Sequence, residues 1–402
     1  MKIGVIGGSI AGCATAIVLA RSGHDVRVFE RSASELKGRG AGIATSPAVL
    51  QSLKDEDLLD DDIPFFHIEA LHHVGKAEQN EPDGSKAGVL PVELECMNWG
   101  DLQRNLRCRV KDEVYLKDHI VHKVENLSSH QSKLTLKDGK SFTFDLIVCA
   151  DGYRSVGRAS LFPEAALNYR GYVLWRGVLD EAQLNDTTPL ESKMQRIGYN
   201  RAHGVFYFVP GEPLASSSNN RLVNWALYMP VPKDELSTFL VDRTGKKRSG
   251  SIAPGEMRSE QELALKRLAK NALPSYYAQI IEKSQSTFIQ AIYTMDVPAY
   301  YKGRICLVGD AGFVAQPFTA SGVFKSISNA KALSNALISY NSLEEALSAW
   351  SHEQIALGRR LKHVGEKLEH ALIWDIPDFS TIKEEELNSW FKSLASASYV
   401  KK

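Results

Sequence analysis

The run Lys2-Ile-Gly-Val-Ile-Gly-Gly-Ser-Ile-Ala-Gly12 near the N-terminus joins a short apolar segment to a glycine-rich turn. Apolar residues over 2–7 that end in glycine predict a buried parallel strand. Apolar residues recur at helical spacing over 10–22, and Gly23 marks the C-terminal end of that helix. Residues 25–30 then read as a second strand. Together these segments predict a βαβ unit with parallel strands.

The glycine turn matches most of the fingerprint that binds a dinucleotide. The first glycine of such a turn allows a sharp bend, the second allows close approach of pyrophosphate, and the third allows the helix to pack on the strand. Gly7 and Gly12 hold the first and third positions, and Ser9 replaces the second with a small hydroxyl that can itself donate to phosphate. Glu30 follows 23 residues after Gly7, close to the spacing of a carboxylate that binds a ribose diol. The predicted cofactor contacts here are Gly7, Ser9, Ile10, Ala11, Gly12, Glu30 and Arg31, with Arg31 either against adenine or solvated.

Two later segments place an Asp/Gly pair at the carboxyl end of an apolar strand, where open α/β sheets bind their ligands. The first contains Asp151-Gly152, and the second contains Gly309-Asp310. Asp310 can accept hydrogen bonds from a polyol. Pro317 then interrupts the chain, and a helix opens near residues 320–323, where its N-terminus can stabilise the negative charge of a reduced flavin.

With these three ordered motifs the chain resembles the flavoprotein aromatic hydroxylases built on the para-hydroxybenzoate hydroxylase fold. Gly40-Ala-Gly-Ile43 is similar to that family's third strand beside the flavin, and Tyr169 to Leu179 is similar to the 2,6-dihydroxypyridine hydroxylase branch. The resemblance spans residues 1–345. It implies that FAD contacts also involve Gly42, Ile43, Asp151, Gly309, Asp310, Pro317, Gly322 and Val323.

The resemblance also implies a reaction. NADPH or NADH binds transiently and reduces FAD. O2 then adds to the reduced flavin to give a hydroperoxide, and one oxygen atom passes to a small electron-rich aromatic or N-heteroaromatic compound. Three positions depart from the family pattern. Trp99 replaces an arginine that pairs with pyrophosphate, Phe313 replaces a histidine, and Lys325 ends the Val-Phe-Lys run that replaces Gly-x-Asn.

The order of the segments predicts an α/β fold. A Rossmann-like FAD-binding domain is assembled from residues 1–70, 95–165 and 290–340, and an inserted antiparallel sheet from 71–94 and 166–289 forms the substrate domain. Residues 341–402 form a C-terminal helical region. Substrate-site residues are expected on the inserted sheet. We expect Arg176, His203 and Tyr207 to be catalytic and Tyr172, Phe206 and Trp225 to bind substrate, although core packing is the better explanation for any one aromatic.

Composition limits the other classes of protein. The 48 basic and 48 acidic residues cancel, so nucleic acid is not expected as a partner. The five cysteines show no metal-ligand spacing, and no apolar run reaches the roughly 20 residues of a membrane helix. We therefore expect a cytoplasmic enzyme without metal, as a monomer or homodimer. An FAD-dependent reductase or halogenase on the same fold and a non-catalytic flavin-binding protein stay open as alternatives; the Trp-x-Trp-x-Ile-Pro run of halogenases is absent.

Overall fold

The computed structural model describes residues 1–36, 42–76, 81–199, 202–211 and 220–397. In chain order the strands are β1 (Lys2–Ile6), β2 (Asp25–Phe29), β3 (Gly42–Thr45), β4 (Phe66–Gly75), β5 (Ser85–Asn98), β6 (Tyr115–Leu116), β7 (Val121–Asn126), β8 (Ser132–Leu136), β9 (Ser141–Phe144), β10 (Leu146–Cys149), β11 (Asn168–Asp180), β12 (Lys193–Tyr199), β13 (Ala202–Pro210), β14 (Arg221–Pro230), β15 (Ser251–Ile252), β16 (Gln285–Thr294), β17 (Tyr301–Lys302) and β18 (Ile305–Leu307). The α-helices are α1 (Ile10–Arg21), α2 (Pro47–Asp55), α3 (Trp99–Cys108), α4 (Val156–Leu161), α5 (Leu236–Phe239), α6 (Ser259–Ala272), α7 (Ser275–Lys283), α8 (Gly322–Ser339), α9 (Leu343–Glu369) and α10 (Glu384–Ala397).

The first sheet is the Rossmann-like sheet predicted from the N-terminal run. Its order is β17-β18-β10-β1-β2-β6, with β1 parallel to both β2 and β10 and with β10 parallel to β18. Strands from three distant parts of the chain thus lie side by side, as the discontinuous FAD-binding domain requires. Helices α1 and α8 pack against one another, and apolar residues such as Ile3, Val5 and Ile147 have no exposed surface. The predicted fold class is confirmed.

The second sheet has nine strands in the order β15-β16-β11-β14-β13-β12-β4-β5-β3. One face packs on α6 and α7 through a core that contains Trp175, Phe206 and Trp225. The opposite face, which we call the inner face, carries Tyr172, Arg176 and Tyr207 on alternate positions of β11 and β13. Within this sheet β12 and β13 are paired antiparallel.

Two features of the fold differ from simple readings of the sequence. The run 141–150 reads as one strand, but it divides at Asp145: β9 pairs with β8 in a small three-stranded sheet, whereas β10 enters the parallel sheet. In addition, β3, β4 and β5 belong to the nine-stranded sheet, so the proposed domain limits at residues 70 and 95 fall inside strands. The three-part domain division stays a prediction.

The C-terminal helices close over the second sheet. Helix α9 continues into a π-helical turn, His370–Trp374, which packs on β13, and α10 packs on β5 and α9.

Within the described ranges, no helix has the length and apolar character needed to cross a membrane. All five cysteines are free thiols, with Cys108 exposed and the other four buried.

Candidate flavin and substrate site

The glycine turn brings backbone into contacts that leave no room for a side chain. Gly7 has φ +97°, and a Cβ added there meets the Ala150 carbonyl oxygen at 2.5 Å. A Cβ on Gly12 meets the Gly7 carbonyl oxygen at 1.7 Å. The first and third glycines therefore perform the turning and packing roles that the fingerprint assigns to them.

Ser9 and Glu30 lie on either side of the glycine turn, at the start of α1 and the end of β2. Ser9 is the N-cap residue of α1, yet its hydroxyl makes no capping hydrogen bond, so it stays available to a phosphate oxygen. The buried Glu30 carboxylate accepts hydrogen bonds from Gly8 N at 2.7 Å and Ser32 N at 2.8 Å, which orients it at the end of β2. Ile10 is buried, Ala11 is half-buried, and Arg31 is exposed.

Asp151 makes its contacts within the protein. Its Oδ2 accepts a hydrogen bond from Val156 N at 2.7 Å, and Oδ1 is buried with no partner among the described residues. Burial raises the pKa of this carboxyl. Arg158, in helix α4, donates to the Ala311 carbonyl at 3.2 Å and so joins this motif to the Gly309–Asp310 turn. Asp151 is thus placed to shape the cofactor turn, and its direct contact with FAD stays a prediction.

Asp310 is held by the lysine that departs from the family pattern. Lys325 Nζ donates to Asp310 Oδ1 at 3.0 Å and also to the Phe313 carbonyl. The lysine side chain is buried, whereas the Asp310 side chain keeps 45% of its surface exposed. Gly309, with φ +64°, donates its N–H to Asn329 Oδ1. The carboxylate is therefore fixed by one oxygen and open to a polyol through the other.

Helix α8 presents an open N-terminus beside this carboxylate. A Cβ on Gly322, its first residue, meets no atom within 4 Å, and no side chain caps the helix. The first N–H groups of a helix lack partners inside it and favour negative charge. Pro317 is exposed and Val323 half-buried on the same approach. These residues fit the pyrimidine end of a flavin.

Gly42 connects the cofactor side to the inner face. Its N–H donates to Asn224 Oδ1 at 2.8 Å, and its carbonyl lies 3.4 Å from Arg176 Nη2. A Cβ at Gly42 meets the Tyr207 hydroxyl at 2.8 Å. The structure thus brings together Gly42, Arg176 and Tyr207, three residues that the sequence proposed separately, and half-buried Ile43 follows them.

A cavity of about 1070 Å³ lies between α3, Leu36 and strands β11 and β16. Its volume is sufficient for a large ligand. Gln103, Arg104 and Arg107 line one wall, and Phe288 lines the other. Trp99, which replaces the family's arginine, packs on the core of the parallel sheet instead of opening into this space. The cavity, the open glycine turn and the uncapped α8 terminus together fit an extended FAD.

The inner face contains one row of residues in register across four strands. Arg176 on β11 is opposite Ala226 on β14, which is opposite Val205 on β13, which is opposite Arg196 on β12. Strand β13 is buried at every position except Val205. Arg176 and Arg196 are likewise half-buried. Ala226 between them is only 4% exposed, so accessible surface remains at the Val205 and Arg176 positions of this row.

An aromatic wall borders this row. Tyr172 stacks on Phe318 with ring centroids 6.1 Å apart, and Tyr228 lies 4.8 Å from Phe318 and 4.4 Å from His203. Phe318 directly follows Pro317, so the wall connects the inner face to the loop 316–321 that leads into α8. Burial raises the pKa of Tyr228 to about 12, and Arg176 opposes part of that rise. The phenol is therefore neutral at physiological pH.

A buried carboxylate behind the wall holds these elements together. Glu369, at the end of α9, accepts hydrogen bonds from Arg170 Nη2 at 2.7 Å, Gln316 Nε2 at 3.0 Å and the Tyr172 hydroxyl at 3.3 Å. Gln316 directly precedes Pro317. The Glu369 side chain is 4% exposed, so this cluster of contacts is nearly free of solvent.

Three sequence-predicted substrate-site residues take other places. Phe206 and Trp225 point away from the inner face: Phe206 packs on Tyr277, and Trp225 Nε1 donates to Ser284 Oγ. Both have no exposed surface, and alternation along a strand turns them into the opposite core. We therefore withdraw both as substrate contacts. His203 is buried behind Tyr228 and donates through Nδ1 to the Leu372 carbonyl, and burial lowers its pKa well below the usual value.

His203 and Tyr207 do not touch. They are four residues apart on one strand, which corresponds to about 13 Å. A direct proton relay between them has no support in the structure. The sequence predictions did not include Asn224, Arg196 and Glu369. Each is a polar residue inside an otherwise apolar strand or helix face, and this isolated polar position is the feature of the sequence that could have identified it.

Comparisons with known proteins identify similar chains. A family described as FAD binding domain-like matches residues 169–294. The chain is 25% identical over 385 residues to 2,6-dihydroxypyridine 3-monooxygenase of Paenarthrobacter nicotinovorans, covering 92% of each chain.

Solved structures give the same picture of the fold. The 2,6-dihydroxypyridine-3-hydroxylase from Arthrobacter nicotinovorans matches with a TM-score of 0.85 and 23% identity, covering 95% of this chain and 94% of that one. Klebsiella pneumoniae HpxO, complexed with FAD and uric acid, matches with a TM-score of 0.75 and 18% identity over 98% and 97% of the two chains. The predicted resemblance to the 2,6-dihydroxypyridine hydroxylase branch is confirmed, and the match to the FAD binding domain-like family supports the predicted FAD cofactor.

Proposed function

We propose that this chain, an FAD-dependent monooxygenase of the aromatic hydroxylase class, hydroxylates a small electron-rich aromatic or N-heteroaromatic compound with NADPH or NADH as reductant. The observation that carries the proposal is the accessible surface that Val205 and Arg176 keep on the inner face, where Val205 and the buried Ala226 form an apolar floor beside Arg176. A planar ring fits such a floor, and the aromatic wall supplies ring contacts at its edge. The Paenarthrobacter relative is named for a dihydroxypyridine and the HpxO structure contains uric acid; both compounds are N-heteroaromatic, which supports the same substrate class.

FAD, when bound and reduced by NAD(P)H, supplies the activation of O2. We assign the binding of its pyrophosphate to the Gly7–Gly12 turn and Ser9, of its ribose to Glu30, and of its polyol chain to Asp310. The uncapped start of α8 favours negative charge at the pyrimidine end of the ring.

The chain's own residues orient the substrate and stabilise charge. The hydroxyls of Tyr207 and Tyr228 make no hydrogen bond to any described residue, so both are available to polar substituents on a ring. Arg176 lacks a carboxylate partner in the described part of the chain and supplies positive charge next to the floor. His203 acts as a positioning residue, because it stacks under Tyr228 without reaching the open space.

Filling the space above the floor tests this proposal. Val205→Phe should retain FAD, because Val205 lies on the inner face and not at the glycine turn, but it should lose stimulation of NAD(P)H oxidation by hydroxypyridines and phenols by about tenfold or more. Leu263→Phe is the matched control, since Leu263 is 53% exposed on α6. Stimulation by these compounds that is equal in both variants and in the unmodified protein would place the substrate elsewhere.

A further inference from the structure

Gln103 on α3 carries a buried amide that has no partner in the described part of the chain. Only 5% of the residue is exposed, and it lines the cavity of about 1070 Å³. Its side chain makes no hydrogen bond to any described residue, yet its amide atoms are not fully enclosed by protein. Burying an amide without a partner is costly. The amide therefore opens into the cavity, where a ligand can supply the missing hydrogen bond.

The two arginines on the same wall of the cavity are already engaged. Arg107 donates to the Val110 carbonyl and to Asp112, and its guanidinium lies 4.0 Å from the centre of an aromatic ring. Arg104 is paired with Asp101, and 40% of its side chain is exposed. Of these three neighbouring α3 side chains, the amide is the one that the described chain leaves unpartnered.

Helix α3 connects the two ends of the proposed FAD site. Just before the helix, Asn98 pairs with Gly42 in the β3–β5 ladder, on the predicted flavin side. The last turn of the helix packs on Tyr115, whose hydroxyl donates to the Gly8 carbonyl at 2.9 Å. Gln103 lies between these ends, roughly 6–8 Å of helix rise from each. The part of FAD that joins the flavin to the adenosine is its polyol and pyrophosphate chain.

Gln103 also lies on the helix face where the family pattern has its arginine. Trp99 occupies that arginine position, and its ring packs on the core of the parallel sheet. Because residues four apart are neighbours on a helix, Gln103 is on the same face, one turn closer to the glycine turn. A side-chain NH2 group donates to phosphate oxygens, and such bonds are strengthened by the phosphate charge.

We propose that Gln103 binds the pyrophosphate of FAD through its side-chain NH2, one helical turn from the arginine position that Trp99 occupies. The amide positions the pyrophosphate without adding charge, while the glycine turn and the N-terminus of α1 stabilise the phosphate charge. This inference rests on the FAD binding assigned under the proposed function, but it is independent of which compound is hydroxylated.

FAD titration of the full-length protein, after its flavin has been removed, tests the assignment without turnover. The dissociation constant is read from flavin fluorescence, and the stability of the FAD-free protein is measured by urea unfolding. Gln103→Leu removes both polar atoms at similar size. It should raise the dissociation constant about 10- to 100-fold, as expected for a hydrogen bond to a charged group. The FAD-free variant should be no less stable than the unmodified protein, because the amide has no protein partner to lose.

A second variant separates a phosphate contact from a packing effect. Gln103→Glu keeps the shape but places a negative charge towards the pyrophosphate, so its FAD affinity should be lower than that of Gln103→Leu. Gln51→Leu is the matched control, since Gln51 is exposed on α2 and donates only to Asp55. This control should leave FAD affinity unchanged.

The possible results distinguish this proposal from the proposed function. If the unmodified protein binds FAD and Gln103→Leu binds it equally well, the Gln103 assignment alone is wrong. Unfolding of the FAD-free Gln103 variants means that the amide supports the fold, which also overturns the assignment. If the variants lose affinity in the predicted order but no ring is hydroxylated, the assignment stands and the proposed function is wrong. If the unmodified protein does not bind FAD, both are wrong.

Discussion

Replacing Glu369 with glutamine keeps the size of a buried side chain but removes the charge that its hydrogen-bond donors, Trp374 among them, share. In the native protein the carboxylate faces Arg170 in a two-point contact and accepts from Tyr172 and Gln316. The glutamine amide can keep one of these hydrogen bonds, but its NH2 group then points at a donor. Arg170 is left as a cation without its counter-charge.

The size of the effect follows from burial. Breaking a fully buried pair from one side costs about 3–5 kcal/mol. The Arg170 side chain is 23% exposed and recovers some hydration, so we expect the free energy of unfolding to fall by about 2–4 kcal/mol. FAD affinity should fall as well, because Gln316 loses the acceptor that fixes its side chain, and Gln316 begins the loop 316–321 that leads into α8.

The assay is urea unfolding of FAD-free protein followed by circular dichroism, with FAD titration of the same samples. Glu366→Gln is the matched control, since Glu366 is exposed one turn earlier on the same helix. Surface substitutions of that kind change stability by less than about 0.5 kcal/mol. If Glu369→Gln and Glu366→Gln have the same stability and the same FAD affinity, the carboxylate does not hold the site together.

Further predictions concern the cofactor and the response to pH. Gly12→Ala should abolish FAD retention on purification, because its Cβ would lie 1.7 Å from the Gly7 carbonyl oxygen; a variant that keeps its flavin absorbance contradicts the assigned turn. Asp310→Ala should also lose the yellow flavin while remaining folded by circular dichroism, and full FAD retention would refute its assignment. His73 and His203 are neutral when folded because burial depresses their pKa, so below the unfolded pKa of about 6.5 the unfolded state binds more protons. The free energy of unfolding should therefore fall as pH drops from 7 to 5, by about 1.4 kcal/mol per pH unit for each histidine at the lower end of that range, and a flat urea midpoint would contradict their neutrality.

The cofactor half of the site is predictable because its signals are local. A strand, a glycine turn and a helix follow one another directly in the sequence. The spacing of Gly7, Gly12 and Glu30 is therefore enough to predict how they are arranged. The Asp310 turn works in the same way, because a buried strand leads directly into it. The discontinuous assembly was also predictable from the order of the strands.

The substrate half depends on information that no single segment carries. Alternation along β13 and β14 shows that Phe206 and Tyr207 face opposite sides, but it does not show which side meets the cofactor. That choice is made by helices α6 and α7, which cover the face with Phe206 and Trp225. Glu369 lies almost 200 residues from Arg170 and Tyr172, so only the folded chain reveals their contact.

The central claim is that a ring on the inner face receives oxygen from O2. The most direct measurement is turnover under oxygen-18-labelled O2 with FAD-loaded protein, NAD(P)H, and hydroxypyridines, phenols and their carboxylates, followed by mass spectrometry of the products. We predict a hydroxylated ring that carries one labelled oxygen atom, formed together with NAD(P)H consumption. Consumption of NAD(P)H that yields only hydrogen peroxide, with no labelled ring for any of these compounds, would contradict the account.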